Sequence, residues 1–151
     1  MLSTRKWRWP SGEMARTEDV ESLMKDNNVQ LFVGSDSHML GGQWVFATVI
    51  AAYYPGKGGR FLYVRDQAKK SDFRHLQQRL TEEAVRSVTI ANEIRDEFGR
   101  DPEVHLDLNT AVHKSSKYVK ELTAMVGAYG FKCQVKPDSW VSSTLADKSA
   151  R

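Results

Sequence analysis

Two glycine-rich breaks constrain this chain more than any other feature. Gly41-Gly42 and Pro55-Gly56-Lys57-Gly58-Gly59 are strong turn signals, and they cut residues 30–66 into three strand-like runs. The first, Gln30 to Asp36, is apolar until its end. The second, Gln43 to Tyr54, is rich in Val, Ile, Ala and aromatic residues. The third, Arg60 to Asp66, sets Phe61, Tyr63 and Arg65 opposite Leu62 and Val64. Connections this short predict an antiparallel meander.

The second half of the chain has a different period. Ser71 can cap a long helix from Asp72 to about Phe98, with Phe73, Leu76, Leu80, Ala84, Val88, Ala91, Ile94 and Phe98 as its apolar stripe and Gly99 as its stop. Glu103 to Asn109 alternates like a strand, with Val104, Leu106 and Leu108 on one side and His105, Asp107 and Asn109 on the other. A helix of roughly Ser115 to Tyr129 follows, then a strand from Phe131 to Lys136 that Pro137 breaks, then a last helix capped by Ser139 or Asp138. Helices alternating with strands imply right-handed parallel crossovers added to the meander. A short helix from Thr17 to about Asp26 stands in front. The expected fold is α/β: a five-stranded mixed sheet of three antiparallel strands and two parallel additions, with helices on both faces.

At 151 residues, with 40% hydrophobic and 27% charged, the chain fits one globular domain with a sizeable core. Residues 17–151 are read as that domain and residues 1–16 as an irregular basic arm, in which Trp7 and Trp9 either cap the domain or stack on bases. No apolar run is long enough for a bilayer, and no apolar segment follows the basic start, so neither a membrane span nor a secretory signal is expected. The single Cys133 excludes an intrachain disulfide and a multi-cysteine zinc site. A cytoplasmic protein with a buried thiol fits. The net charge of +3 permits a nucleic-acid partner without demanding one. The oligomeric state is not legible.

The chemistry centres on Leu31-Phe32-Val33-Gly34-Ser35-Asp36-Ser37. A charge at the end of a buried strand is costly unless something binds it, although a strand followed by an Asp in a turn is a common arrangement. The lone cysteine lies in a strand and no Gly-x-Ser-x-Gly occurs, so nucleophilic catalysis has no support. Gly56-Lys57-Gly58-Gly59 lacks the ending of a phosphate loop and joins two strands.

The order of elements resembles the ribonuclease H fold. Nucleases of that type hold two divalent metals between four acids, from the first strand, the first long helix, the fourth strand and the last helix. The resemblance therefore implies Asp36, a glutamate of the long helix, Asp107, and an acid of the last helix. Helical phase favours Glu83, at the edge of the buried stripe, over Glu82, which faces solvent. Asp147 shares a face with Ser143 and Trp140 and is preferred to Asp138, the more natural cap. Asp36 and Asp107 end strands that neighbour each other in this fold, and two close carboxylates need a raised pKa or a cation. Hard oxygen donors suit Mg²⁺ or Mn²⁺, two ions being expected.

More specifically, the chain resembles the YkuK-type ribonuclease H-like proteins of bacteria and their phages over about residues 18–151. The matching segments are Val33-Gly34-Ser35-Asp36-Ser37, His105-Leu106-Asp107-Leu108-Asn109, and Val135-Lys136-Pro137-Asp138-Ser139-Trp140 through Ser142-Ser143 to Ala146-Asp147-Lys148. Around the acids, His38 and Asp138 are possible auxiliaries. His113, Lys114 and Ser115 at a helix start, Lys148, and the patch of Lys69, Lys70 and Arg74 are candidate phosphate contacts. The expected activity is metal-dependent hydrolysis of phosphodiester bonds in RNA, an RNA–DNA hybrid or branched DNA. The competing expectation is a non-catalytic nucleic-acid- or protein-binding module on the same fold.

Overall fold

The computed structural model describes residues 1–109 and 113–151, with the side chains of 109–117 and 142–143 outside that description. The elements are α1 (Thr17–Lys25), β1 (Gln30–Leu40), β2 (Gln43–Tyr54), β3 (Gly58–Lys69), α2 (Leu76–Phe98), β4 (Glu103–Asn109), α3 (His113–Ala128) and β5 (Cys133–Lys136). A π-helical segment (Val141–Ala146) then runs into α4 (Asp147–Ala150). The strands form one mixed sheet in the order β3-β2-β1-β4-β5. β1, β2 and β3 pair antiparallel, and β1–β4 and β4–β5 pair parallel, as the breaks and crossovers imply.

Alternation along the strands feeds two cores. Leu31 and Val33 of β1 and Ile50 and Ala52 of β2 join α1, α2 and α3 on one face. Phe32 of β1 and Val49 and Ala51 of β2 pack against Val141, Leu145 and Ala146 on the other. The stripe of α2 lands as its period requires, with Ala84, Val88, Ala91 and Ile94 buried. Gly99 closes the helix in the left-handed region at φ 66°, its N–H donating to Arg95 O, a conformation that only glycine adopts cheaply.

β1 is longer than the sequence suggests. It continues through Asp36 to Leu40, and pairs with β2 along its whole length through the Gly41-Gly42 turn. Hydrogen bonding to a full-length hairpin partner overrides the polar residues that mark an apparent end at Asp36. The start of α2 also differs. Residues 70–72 form a separate turn, and the α-helix begins at Leu76, with Gln78 Oε1 accepting the backbone N–H of His75 at 3.0 Å. Phe73 breaks the run because it is held elsewhere: its ring packs edge-on against Phe46 at 5.1 Å, and its carbonyl accepts Trp44 Nε1–H at 3.2 Å.

The first sixteen residues are strapped to the domain. Leu2 and Trp7 are fully buried. Trp7 Nε1–H donates to Leu2 O at 2.8 Å, the Leu2 N–H donates to Glu97 of α2 at 2.7 Å, and Arg8 bridges antiparallel to Tyr63 on the outer edge of β3. Trp7 is thus core, and Trp9 is covered by the Arg60 guanidinium at 4.3 Å. Neither is placed for base stacking. Cys133 is half-buried, and burial pushes its thiol up to about 11, which suits a packing role rather than a reactive one.

Candidate metal centre

β1 and β4 pair only at Phe32–Glu103, Val33–Val104 and Gly34–His105. Carrying that register two residues further sets Asp36 level with Asp107, just past the point where the ladder stops. The two strands fork there, at the carboxyl ends of adjacent parallel strands, where open α/β sheets place their ligands. A cleft of about 470 Å³ lined by Arg100, Pro102 and Lys132 among others lies at the opposite ends of these strands and holds none of the four acids.

Asp36 is buried and faces the C-terminal segment. Burial, then the charge of Asp107, pushes its carboxyl up to about 7, although the Ser37 N–H donates to its Oδ1 at 2.9 Å. Glu83 lies beneath it on the buried side of α2. Ser37 Oγ–H donates to Glu83 Oε2 at 2.6 Å, yet burial outweighs this bond, and with the charges of Asp36 and Asp107 it raises the carboxyl to about 8. Next to this pair, Ser35, Thr48 and Ser87 form a buried hydroxyl cluster at 2.8–3.0 Å that pins α2 to β1 and β2.

The opposite wall comes from the chain's end. His38, two residues after Asp36 and so on the same face, brings Nε2 to 2.5 Å from Asp147 Oδ1 and 3.3 Å from Asp36 Oδ2. Burial opposes the charge on Asp147, but hydrogen bonds from Arg151, His38 and Asp36 hold it below the usual carboxylate range. His38 thus links the Asp36 and Asp147 carboxylates. Asp107 is bridged to Lys136 Nζ at 2.9 Å. Ligand atoms of Asp36, His38 and Asp147 lie within 4.8 Å of one another, a cluster that could hold a metal ion.

Asp147 arrives by a route other than simple α-helical phase. Trp140 is more than a third exposed, its ring against Phe32 at 5.2 Å and His105 at 5.7 Å, and the wider π-helical turn between Val141 and Ala146 aims the residue that follows it. Such turns recur at functional sites. His105 is fully buried rather than part of a solvated strand face, because the C-terminal segment covers that face. Val141 N–H donates to His105 Nδ1 at 3.3 Å, leaving the proton on Nε2, 3.3 Å from Glu103; burial lowers the pKa of this ring.

The remaining sites fall into three groups. Asp138 is exposed and acts electrostatically on His105, apart from the acid cluster. Lys69, Lys70 and Arg74 are exposed. Lys69 pairs with Gln43, four residues along β2 from Ala47, the partner of Asp36, which puts this patch about 13 Å beyond the acids on the same end of the sheet. Lys148 is exposed beside Asp147. The side chains of His113, Lys114 and Ser115 lie outside the described residues. Lys136 and Arg151 were not singled out by the sequence. The signal for Lys136 is its place at the end of a strand parallel to β4; Arg151, four residues after Asp147 on α4, carried an i, i+4 signal.

The chain matches the family described as Ribonuclease H-like over residues 14–151, and it belongs to that family, the YkuK family. No curated protein sequence matches it. Among solved structures it is similar to the N-terminal ribonuclease H domain of a Mycobacterium tuberculosis protein, solved as a fusion with maltose-binding protein. That likeness has 9% identity and a TM-score of 0.38, covering 81% of this chain and 94% of the other. Among the described residues no helix is long and apolar enough to cross a membrane.

Proposed function

We propose that this protein is a divalent-metal-dependent nuclease that hydrolyses phosphodiester bonds in RNA, an RNA–DNA hybrid or branched DNA. The observation that carries the reading is the fork between β1 and β4. There the buried Asp36 and Glu83 are raised to about 7 and 8, by burial first and then by neighbouring carboxylate charge. Uncompensated carboxylates around a shared point are a demand for cations, and an oxygen-rich donor set fits Mg²⁺ or Mn²⁺.

Asp36, Glu83, Asp107 and Asp147 would hold two such ions. When bound, these supply charge neutralisation at the phosphate and an activated water. The protein's own contribution is arrangement. Ser37 fixes Glu83, His38 links Asp36 to Asp147, and the His105–Val141 hydrogen bond seats the segment that presents Asp147. His38 Nε2, partly exposed, can hold a proton at the mouth of the site. Lys69, Lys70, Arg74 and Lys148 supply positive charge on the approach, which favours a polyanion.

A cleavage panel of single-stranded RNA, hybrid, duplex and four-way junction, run with Mg²⁺ and with Mn²⁺, tests the reading. Metal-dependent cleavage of at least one substrate is expected, and Asp36→Asn and Asp107→Asn should each abolish it while circular dichroism shows the fold intact. Undiminished cleavage in either variant ends the four-acid assignment. One observation favours the non-catalytic reading: Lys136, His38 and Arg151 already partner Asp107 and Asp147. That reading predicts salt-sensitive nucleic-acid binding with no cleavage under any metal.

A further inference from the structure

Lys136 sits on the candidate centre with no part in the activity proposed above. Its Nζ lies 2.9 Å from Asp107 Oδ1, and its side chain is 42% exposed where that of Asp107 is 20% exposed. It reaches the site from the end of β5, where it is in register with Asn109 after an irregularity in the β4–β5 ladder. The pair with Asp107 places its positive charge at the acid cluster. The ammonium therefore pairs with one of the four carboxylates at the edge of the cluster.

An ammonium and a divalent ion answer the same electrostatic demand, and they compete for the same oxygen. The strength of the pair decides whether that competition matters. A fully buried ion pair would lock Asp107, because breaking it strands a charge without solvent. A pair this exposed is weak, and its lysine has a flexible stem and water at hand. It can hold the carboxylate without a metal and still yield to one.

We propose that Lys136 is the internal counter-ion of this centre: its ammonium occupies Asp107 while no divalent cation is bound, and is displaced when one binds. The inference rests on the metal-dependent reading above and adds a control on it. Lys136 sets the cation concentration at which the site fills, and steadies Asp107 against Asp36 in the empty site.

Calorimetric titration of Mn²⁺ into metal-free protein tests this, using wild type, Lys136→Met, Lys136→Arg and, as a control, Lys132→Met. Lys132 lies just before β5, at the end away from the acids, where its carbonyl accepts Val104 N–H. Lys136→Met should bind Mn²⁺ about 2- to 5-fold more tightly, the fold equivalent of losing one partly exposed competing charge. Lys136→Arg should stay near wild type and Lys132→Met should be unchanged. Equal affinity in Lys136→Met and wild type overturns the proposal. A matching gain in Lys132→Met overturns it too, because the effect is then general charge. A lower melting temperature with unchanged Mn²⁺ affinity reduces Lys136 to a tie between β4 and β5. If wild type binds no Mn²⁺ at all, the metal-dependent reading itself fails, which separates that failure from the others. Should Lys136→Met not fold, Lys136→Gln carries the same comparison.

Discussion

Replacing Glu83 by glutamine should make the metal-free protein more stable, by an amount that grows as the pH rises from about 4.5 to 8. Glu83 has its carboxyl raised from 4.5 to about 8, first by burial. Between those values the folded protein keeps a proton that the unfolded chain has released. Wild-type stability therefore falls as pH rises through this window, and stops falling above about 8. At pH 7.5 about three pH units of that slope have accumulated, at ~1.4 kcal/mol each, for a ceiling of about 4 kcal/mol. Glutamine keeps an oxygen to accept the Ser37 hydroxyl and carries no charge, so it escapes the slope. If half the ceiling survives local relaxation, the gain is about 2 kcal/mol, or roughly 4–8 °C in Tm for a chain of this size. The assay is a set of thermal melts in EDTA from pH 4.5 to 8. The Tm difference between variant and wild type should be near zero at the acid end and grow steadily. With saturating Mn²⁺ the order should reverse, because wild type gains binding energy that the variant has lost. A difference that is flat across pH, or a loss of stability at pH 7.5, would falsify the account of Glu83 as a buried carboxylate awaiting a cation.

Three further outcomes follow from the geometry. Trp7→Ala should cost about 3–5 kcal/mol in urea unfolding, because the ring is fully buried between the arm and the sheet; a loss under ~1 kcal/mol would mean the arm is dispensable. Ser87→Ala should cost about 1 kcal/mol by leaving Ser35 with one fewer partner in a buried cluster; the same urea titration reads it. His105→Leu should abolish the bond to Val141 N–H and lower Mn²⁺ affinity through Asp147 while leaving most of the secondary structure, as followed by circular dichroism beside calorimetry.

The meander, the crossovers and the stripe of α2 were legible because each rests on local chemistry: glycine turns, strand alternation, helical period. The ends of elements were less so. Asp36 reads as a terminus in sequence, but pairing with β2, where its partner is Ala47 eleven residues downstream, prolongs the ladder past it. Ser71 reads as a cap, but Trp44 and Phe46 hold Phe73 away from the helix. Phase along α2 picked out Glu83 because a long regular helix keeps its period. α-Helical phase sets Asp147 on a face shared with Trp140, whereas a π-helical turn and His38 bring it in. Single-residue periodicity carries no sign of a wider turn. The burial of His105 is not legible because alternation reveals the two faces of a strand, not what later covers them.

The forked ladder has a mechanical consequence. Asp36 rides on the hairpin half of the molecule, zipped to β2 along all of β1, whereas Asp107 rides on the crossover half with β5. Only three residue pairs stitch β1 to β4 below the fork. A cation gripping both carboxylates would act as a rivet between these two halves of the sheet. Native-state hydrogen exchange should show it: amides of β4 beyond His105 open locally in EDTA, and with Mn²⁺ they open only with the whole fold.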